Sequence, residues 1–407
     1  MTYNIRERTG FGWVAILLYS AIFGITFSIA LGETLLGMAF VILIYRWIKA
    51  GKSPVWPLEA WFALAFFAWA VVTILFGVDM QLGFSRLSRL AWFATIPAFA
   101  TVVRSSEDVK KYLKFFAAGC AVLSVYLLSS NLLEAYRVSA ANGTSYYNAL
   151  VAAGSMTGSQ MLVMGILATM GLLFVLKGRK WLLWCVLGLQ LVTILLNFKR
   201  GSWLTLLILA LVFLAYRRKW KVLLLAVLII GSAAATTPVR SRLAGLRDEM
   251  DPWRGGRFTM WTKIAPQLFS ENPWTGIGYN SLSNETMNDA AKRKWLHQNP
   301  EKHPPSQLVE PRRDHLHSNP VQIIVATGIP GFLLYATWML AVVARAINIR
   351  VKGKRLGKDV RTLHFAALLM ILSILINGLV EYNFGDTEML IVLGSLMGMV
   401  GGLNKKH

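Results

Sequence analysis

Apolar residues run along this chain in blocks too long to be one face of an amphipathic helix, and polar residues are gathered into the gaps between the blocks. A block of about seventeen apolar residues or more has no polar side to turn toward water, so it reads as a helix that crosses a bilayer. The pattern predicts about twelve such spans, at 13–30, 33–48, 59–77, 84–103, 112–131, 149–176, 181–197, 201–216, 220–236, 320–346, 362–380 and 386–403. The expected fold is an all-α polytopic membrane protein. Residues 1–236 would hold the first nine spans, 237–316 a large outer loop, and 317–407 the last three spans.

Composition agrees with the pattern. Hydrophobic residues make up 55% of the 407 and charged residues only 15%, which excludes an ordinary soluble domain. The net charge of +22 suggests nucleic acid at first sight, but its distribution points elsewhere. With the N-terminus inside, nearly all the excess falls on the inner gaps and their edges, in runs such as "RRKWK" and "RVKGKRLGKDVR". The acidic residues there are Glu7, Glu59, Glu107, Asp108 and Asp359. That is the positive-inside rule, so the charge reports topology and contact with anionic membrane lipids, with no nucleic-acid partner. N- and C-termini are expected in the cytoplasm. Cys120 and Cys185 both fall in spans, where neither a disulfide nor a zinc site is expected. The first span lacks a small-residue cleavage site and reads as a retained helix.

The outer loop is too long for a plain connection. Within it "FTMWTKIAPQLF" has apolar residues at helical spacing and predicts a short amphipathic helix, and "ENPWTGIGYNSL" is rich in turn formers. Its end, "RRDHLHSNPVQIIVATGIPGF", brings histidines to the start of a span. Pro320 suits the first helical position and Asn319 the cap, which leaves His317 just outside the positive end of a helix. That field disfavours imidazolium and keeps the ring neutral, as a general base requires. A lone histidine at a helix entrance is more often interfacial than catalytic. His315 is the weaker candidate, because rings two residues apart in a helical or extended segment do not face one site. Gly328, Pro330 and Gly331 predict a kink further along.

Arginines collect on the same side. Arg86 and Arg89 are three apart at the outer start of the fourth span, and Lys199 and Arg200 stand between two spans with almost no loop. Arg254 and Arg257 flank two glycines in "WRGGRF". Each alone reads as snorkelling or loop solvation. Several guanidiniums at one membrane surface are also what holding a pyrophosphate takes. No clustered ligand set marks a metal site, since the outer carboxylates Asp314, Glu381, Asp386 and Glu388 are scattered in sequence. Asp386 or Glu381 is the alternative base to His317.

"KRGSW", "WRGGRFTMW", "ENPWTGIGYNS" and "HLHSNPVQIIVATGIPGF", spread over residues 190–335, resemble the superfamily of bacterial inner-membrane O-antigen ligases and polymerases. The most specific part is His317 with Gln322, Gly328 and Gly331. The family commonly has Asn directly after the histidine, where this chain has Ser318 with Asn319 one place later. The resemblance implies a GT-C-like glycosyltransferase without a cofactor. Its donor would be an undecaprenyl pyrophosphate-linked glycan and its acceptor the lipid A-core oligosaccharide, with His317 catalytic, Arg200, Arg86, Arg89, Arg254 and Arg257 on the pyrophosphate, and His315, Asn319, Gln322 and Lys199 in support. A polymerase or a protein O-glycosylating enzyme of the superfamily would use similar residues. A lipid-linked glycan flippase is the alternative from another class, though it would place charges deeper in the spans and show repeats.

Overall fold

The computed structural model describes residues 12–51, 54–178, 180–219, 221, 256–291, 315–352 and 357–404. Among them every regular element is helical. In chain order these are α1 (Gly12–Ile25), α2 (Ile29–Ala50), α3 (Leu58–Leu75), α4 (Met80–Leu87), a 3₁₀ stretch (Ser88–Ala94), α5 (Thr95–Val102), α6 (Ser106–Asn142), α7 (Tyr146–Ala153), α8 (Met156–Val175), α9 (Lys180–Leu196) and α10 (Arg200–Tyr216). After the undescribed 222–255 come a helical stretch from Arg257, ending in α11 (Ala265–Glu271), then α12 (Asn284–Ala291), α13 (Asn319–Lys352), α14 (Lys358–Gly378) and α15 (Thr387–Asn404).

Six helices are long and apolar enough to cross a membrane: Ile29–Lys49, Leu58–Leu75, Ser106–Asn142, Met156–Val175, Asn319–Ile349 and Lys358–Gly378. Gly12–Ile25, Lys180–Leu196, Arg200–Tyr216 and Thr387–Leu403 are apolar but shorter. The chain is thus a multi-pass membrane protein. The expected ninth span, 220–236, lies outside the described residues apart from Lys221.

Three expected spans take another form: 84–103, 112–131 and 149–176, the last divided at Gly154 and Ser155 between α7 and α8. Residues 84–103 form no single helix, because α4 gives way to the 3₁₀ stretch before α5 begins. Pro97, with no N–H to give, sits in the first turn of α5, where that donor has no helical partner in any case. The fifth span is far longer than 112–131. α6 has 37 residues, about 55 Å of helix against a hydrocarbon layer of about 30 Å, so several turns continue past it. α6 ends at Gly143, whose left-handed φ of 63° closes it, and α7 then folds back on its end through Ala135, Ala149 and Leu150.

Close approach of backbones holds the bundle together. Gly394, Gly398 and Gly402 recur every four residues on α15 and lie against Thr95, Ile96 and Val103, so a Cβ at any of the three would overlap α5. Such small-residue seams replace the hydrophobic drive that lipid removes. α8 runs through the middle with nearly its whole length buried. One end of α8, α10, α13, α14 and α15 meets residues 256–291 and 315–318, and the candidate site is at that end.

Candidate active site

α13 starts one residue earlier than its sequence suggests. The Ser318 carbonyl accepts from Gln322 N at 2.8 Å and its hydroxyl from Val321 N at 3.5 Å, so Ser318 is the cap and Pro320 falls second in the helix. This frees the Asn319 side chain for another task. Its Oδ1 accepts from the backbone N–H groups of Asn383 and Phe384, both at 3.0 Å, and its Nδ2 donates to Asn383 Oδ1 at 2.6 Å. Asn383 Nδ2 in turn reaches Gln160 Oε1 at 3.1 Å on α8 and Ile374 O at 3.0 Å on α14. The entrance of α13 is therefore tied to the α14–α15 loop by amide groups that are all buried. Phe384 drives the same loop into the core, among the rings of Phe66, Phe93 and Tyr335 at centroid distances of 5.6, 5.7 and 5.2 Å.

The histidine segment is fastened on both sides of Leu316. Leu316 N donates to Gln322 Oε1 at 2.8 Å, and its carbonyl accepts from Trp261 Nε1 at 2.6 Å. Gln322 thus acts on the histidine turn through its backbone. His317 has φ of 51°, a left-handed conformation that a residue with a Cβ holds only where its surroundings impose it. The turn corrects the expectation for His315. Instead of pointing apart, the rings of His315 and His317 have centroids 4.3 Å apart, because the left-handed residue folds the segment out of the extended or helical path. His315 also lies 5.9 Å from the ring of Tyr382.

His317 Nδ1 lies 2.9 Å from Glu381 Oε2. The other carboxylate oxygen, Oε1, accepts from Arg257 Nη2. Burial alone would raise the Glu381 carboxyl, but the hydrogen bond from His317 and the charge of Arg257 outweigh it and hold the group below the ordinary carboxylate range. A carboxylate fixed in this way orients the ring and favours a proton on Nδ1, so Nε2 is the nitrogen through which the ring can take one up. The field of the helix end, the reason given by sequence for a neutral ring, therefore acts beside an opposing carboxylate. Of the outer carboxylates, scattered in sequence, Glu381 is brought against His317 by the fold. Asp386, half-buried, accepts from Thr157 Oγ1 at 3.1 Å and is pushed up to about 6, chiefly by desolvation and then by Glu388.

Arg257 and Arg89 bond the same loop, and Arg86 is joined to it through Asn280. Arg89 Nη1 donates to Gly385 O at 2.9 Å, and Arg86 Nη1 lies 3.4 Å from Asn280 O. The Asn280 side chain accepts from Tyr382 Oη at 2.8 Å, and burial pushes the Tyr382 hydroxyl up. Arg257 opens the expected amphipathic helix, which widens into a π turn at Met260–Ile264 before α11. Arg254 and Asp314 lie outside the described residues. Arg200 is the first residue of α10, and the next, Gly201, approaches Val380 and Asn377, which brings this turn to the Glu381 end. The turn is held by Asn197, fully buried, which bonds Asn131 Nδ2 at 2.8 Å and Ser155 N at 2.9 Å. The Lys199 stem lies beside Gly154.

"ENPWTGIGYNS" closes the site from the side. Gly328 breaks α13 with φ of 68°, where a Cβ would overlap the Trp274 carbonyl. The helical bonds lost at the break are replaced: Ile277 N and Gly278 N donate to Val325 O and Ala326 O, both at 3.0 Å, Ile329 N donates to Pro273 O at 2.9 Å, and Trp69 Nε1 to Thr327 O at 2.9 Å. Irregular backbone is tolerated in a bundle only when satisfied in this manner.

Fold and site together define a multi-pass helical membrane protein with a His–Glu–Arg constellation at one end of its bundle. Residues 185–336 match the family described as O-antigen ligase, which supports a place for the chain in the O-antigen ligase and polymerase superfamily. No curated protein matches the chain. The matched segment carries Arg200, Arg257, His315, His317, Asn319 and Gln322, while Glu381, Asp386, Arg86 and Arg89 lie outside it.

Proposed function

We propose that this protein is an O-antigen ligase of the bacterial inner membrane, which transfers O-antigen polysaccharide from undecaprenyl pyrophosphate to the lipid A-core oligosaccharide at the periplasmic face. The observation that carries the reading is the Glu381 carboxylate, which joins His317 to Arg257 at the end of the bundle where the arginines gather. The lipid pyrophosphate is already a good leaving group, so the protein has two tasks: to deprotonate the acceptor hydroxyl and to neutralise the departing anion. His317, oriented by Glu381, takes the hydroxyl proton. The acceptor oxygen bonds to the anomeric carbon as the carbon–oxygen bond to pyrophosphate breaks on the opposite side, which inverts the configuration. Arg200, Arg86 and Arg89, with Arg254 and Arg257, hold the pyrophosphate. This chemistry needs no metal ion and no cofactor.

Lipopolysaccharide from a strain lacking this chain tests the reading. A ligase leaves lipid A-core without O-antigen while full-length polymer accumulates on its lipid carrier. Cores capped with single units identify a polymerase instead, and cores without O-antigen beside lipid-linked glycan held on the cytoplasmic face point to a flippase.

A further inference from the structure

At the opposite end of the bundle from His317, α10 finishes beside the start of α14. Arg217 caps α10 and donates from Nη1 to Thr362 Oγ1 at 2.7 Å, and its guanidinium lies over the Phe174 ring, 4.7 Å from the centroid. Arg218 then takes a left-handed φ of 53°, a position glycine usually fills, and the turn sends Lys219 back so that its Nζ lies 6.0 Å from the same ring. Arg361 lies one residue before Thr362 on α14. The Nε atoms of Arg217 and Arg361 are both shielded from solvent and make no hydrogen bond among the described residues. Among the described residues no carboxylate pairs with either arginine, Asp359, exposed on the first turn of α14, included. The cap residue before α14 is Gly357, which offers no side chain to its first N–H groups.

The Arg217 guanidinium and the Lys219 ammonium thus share the Phe174 ring beside the start of a 21-residue helix that carries Arg361 and whose one first-turn carboxylate, Asp359, is exposed. We propose that this end of α10 and α14 is a binding site for a phosphate group, occupied by the headgroup of an anionic phospholipid in the leaflet opposite the His317 site. A forked guanidinium suits a phosphodiester, and Phe174 at the end of α8 supplies the apolar wall that a lipid has and a soluble anion lacks. The site is independent of glycan transfer and stands or falls apart from it.

The test uses the full-length chain in detergent, offered phosphatidylglycerol, phosphatidylcholine or inorganic phosphate, with bound lipid counted by native mass spectrometry. Phosphatidylglycerol should be retained in preference to phosphatidylcholine and should resist millimolar inorganic phosphate. Arg361→Gln, which breaks no observed bond and so leaves folding intact, should lower that retention about fivefold, and Arg217→Gln at least as much. Arg137→Gln, an exposed arginine at the far end of α6, should change nothing. Equal retention of the two lipids, wild-type retention in both site variants, or an equal loss in Arg137→Gln overturns the site. Displacement by inorganic phosphate overturns the assignment to a lipid.

Discussion

Glu381 Oε2 and His317 Nδ1 lie 2.9 Å apart although 64 residues of chain separate them. The pair exists because Asn319 and Asn383 lock the two segments together just beyond it. If Glu381 serves by orienting His317, the two residues act as one unit. His317→Ala should reduce glycan transfer about 10²-fold or more, Glu381→Gln should do likewise, and the double variant should be no worse than His317→Ala. Losses that multiply in the double variant would show that the residues act independently.

Arg200→Lys keeps the charge and discards the fork. Transfer or donor binding should fall about 5- to 150-fold, as for the loss of a charged hydrogen bond of about 1 to 3 kcal/mol. Arg218→Lys, exposed at the other end of α10, is the control. Equal, near-wild-type behaviour of the two would make Arg200 a membrane anchor.

Gly328→Ala should destabilise the protein by about 1 to 3 kcal/mol, because it places a Cβ on a left-handed backbone against the Trp274 carbonyl. Thermal unfolding in detergent measures this. Gly37→Ala is the comparison, since a Cβ at Gly37 meets open space, and its unfolding midpoint should not fall.

Asp386 gives a pH dependence of definite sign. Its carboxyl is raised from the ordinary 3.8 to about 6, so between those values the folded state holds the proton that the unfolded state releases. Its contribution to stability therefore falls as pH rises through that window. Asp386→Asn should remove that fall, flattening the unfolding midpoint from pH 4 to 6.5 relative to wild type. Glu381, held low, works the other way: its contribution is present above the ordinary carboxylate range and is lost as pH falls through its folded value.

Purified protein should transfer glycan in EDTA at the rate seen without it. Loss of transfer on chelation, with recovery on adding magnesium or manganese, would require a different mechanism.

What could be read from sequence follows the reach of its signals. Apolar blocks mark helices wherever every side of a helix faces lipid or protein, so α3, α9, α10, α14 and α15 lie close to their expected places. The break within 84–103 is hidden because the residues on both sides of it are equally apolar; Pro97 was the available sign. The extra length of α6 lay in "NLLEAYRVSAANG", a stretch without proline that ends in Asn-Gly and whose polar residues read as loop. The kink at Gly328 was legible, since glycine and proline act locally. The partnership of His317 and Glu381 was not, because no spacing in the chain encodes a contact made by folding; a carboxylate in the short gap "GLVEYNFGDTEML" was the one hint. The closeness of His315 to His317 depends on a single left-handed residue, which histidine does not advertise as glycine does.

The stitching of residues 273–282 to the bundle bears on how such proteins can be recombined. Val78 N donates to Ile277 O at 2.9 Å, and Tyr279 N lies 3.2 Å from Thr73 Oγ1, while the carbonyls at the Gly328 break take their hydrogen bonds from Ile277 and Gly278. A segment exchanged here between relatives would arrive without the partners that its own backbone completes, and would leave the break in α13 unsatisfied. The transplantable unit is therefore the segment together with residues 69–79 and 325–329, so loop and scaffold must change together.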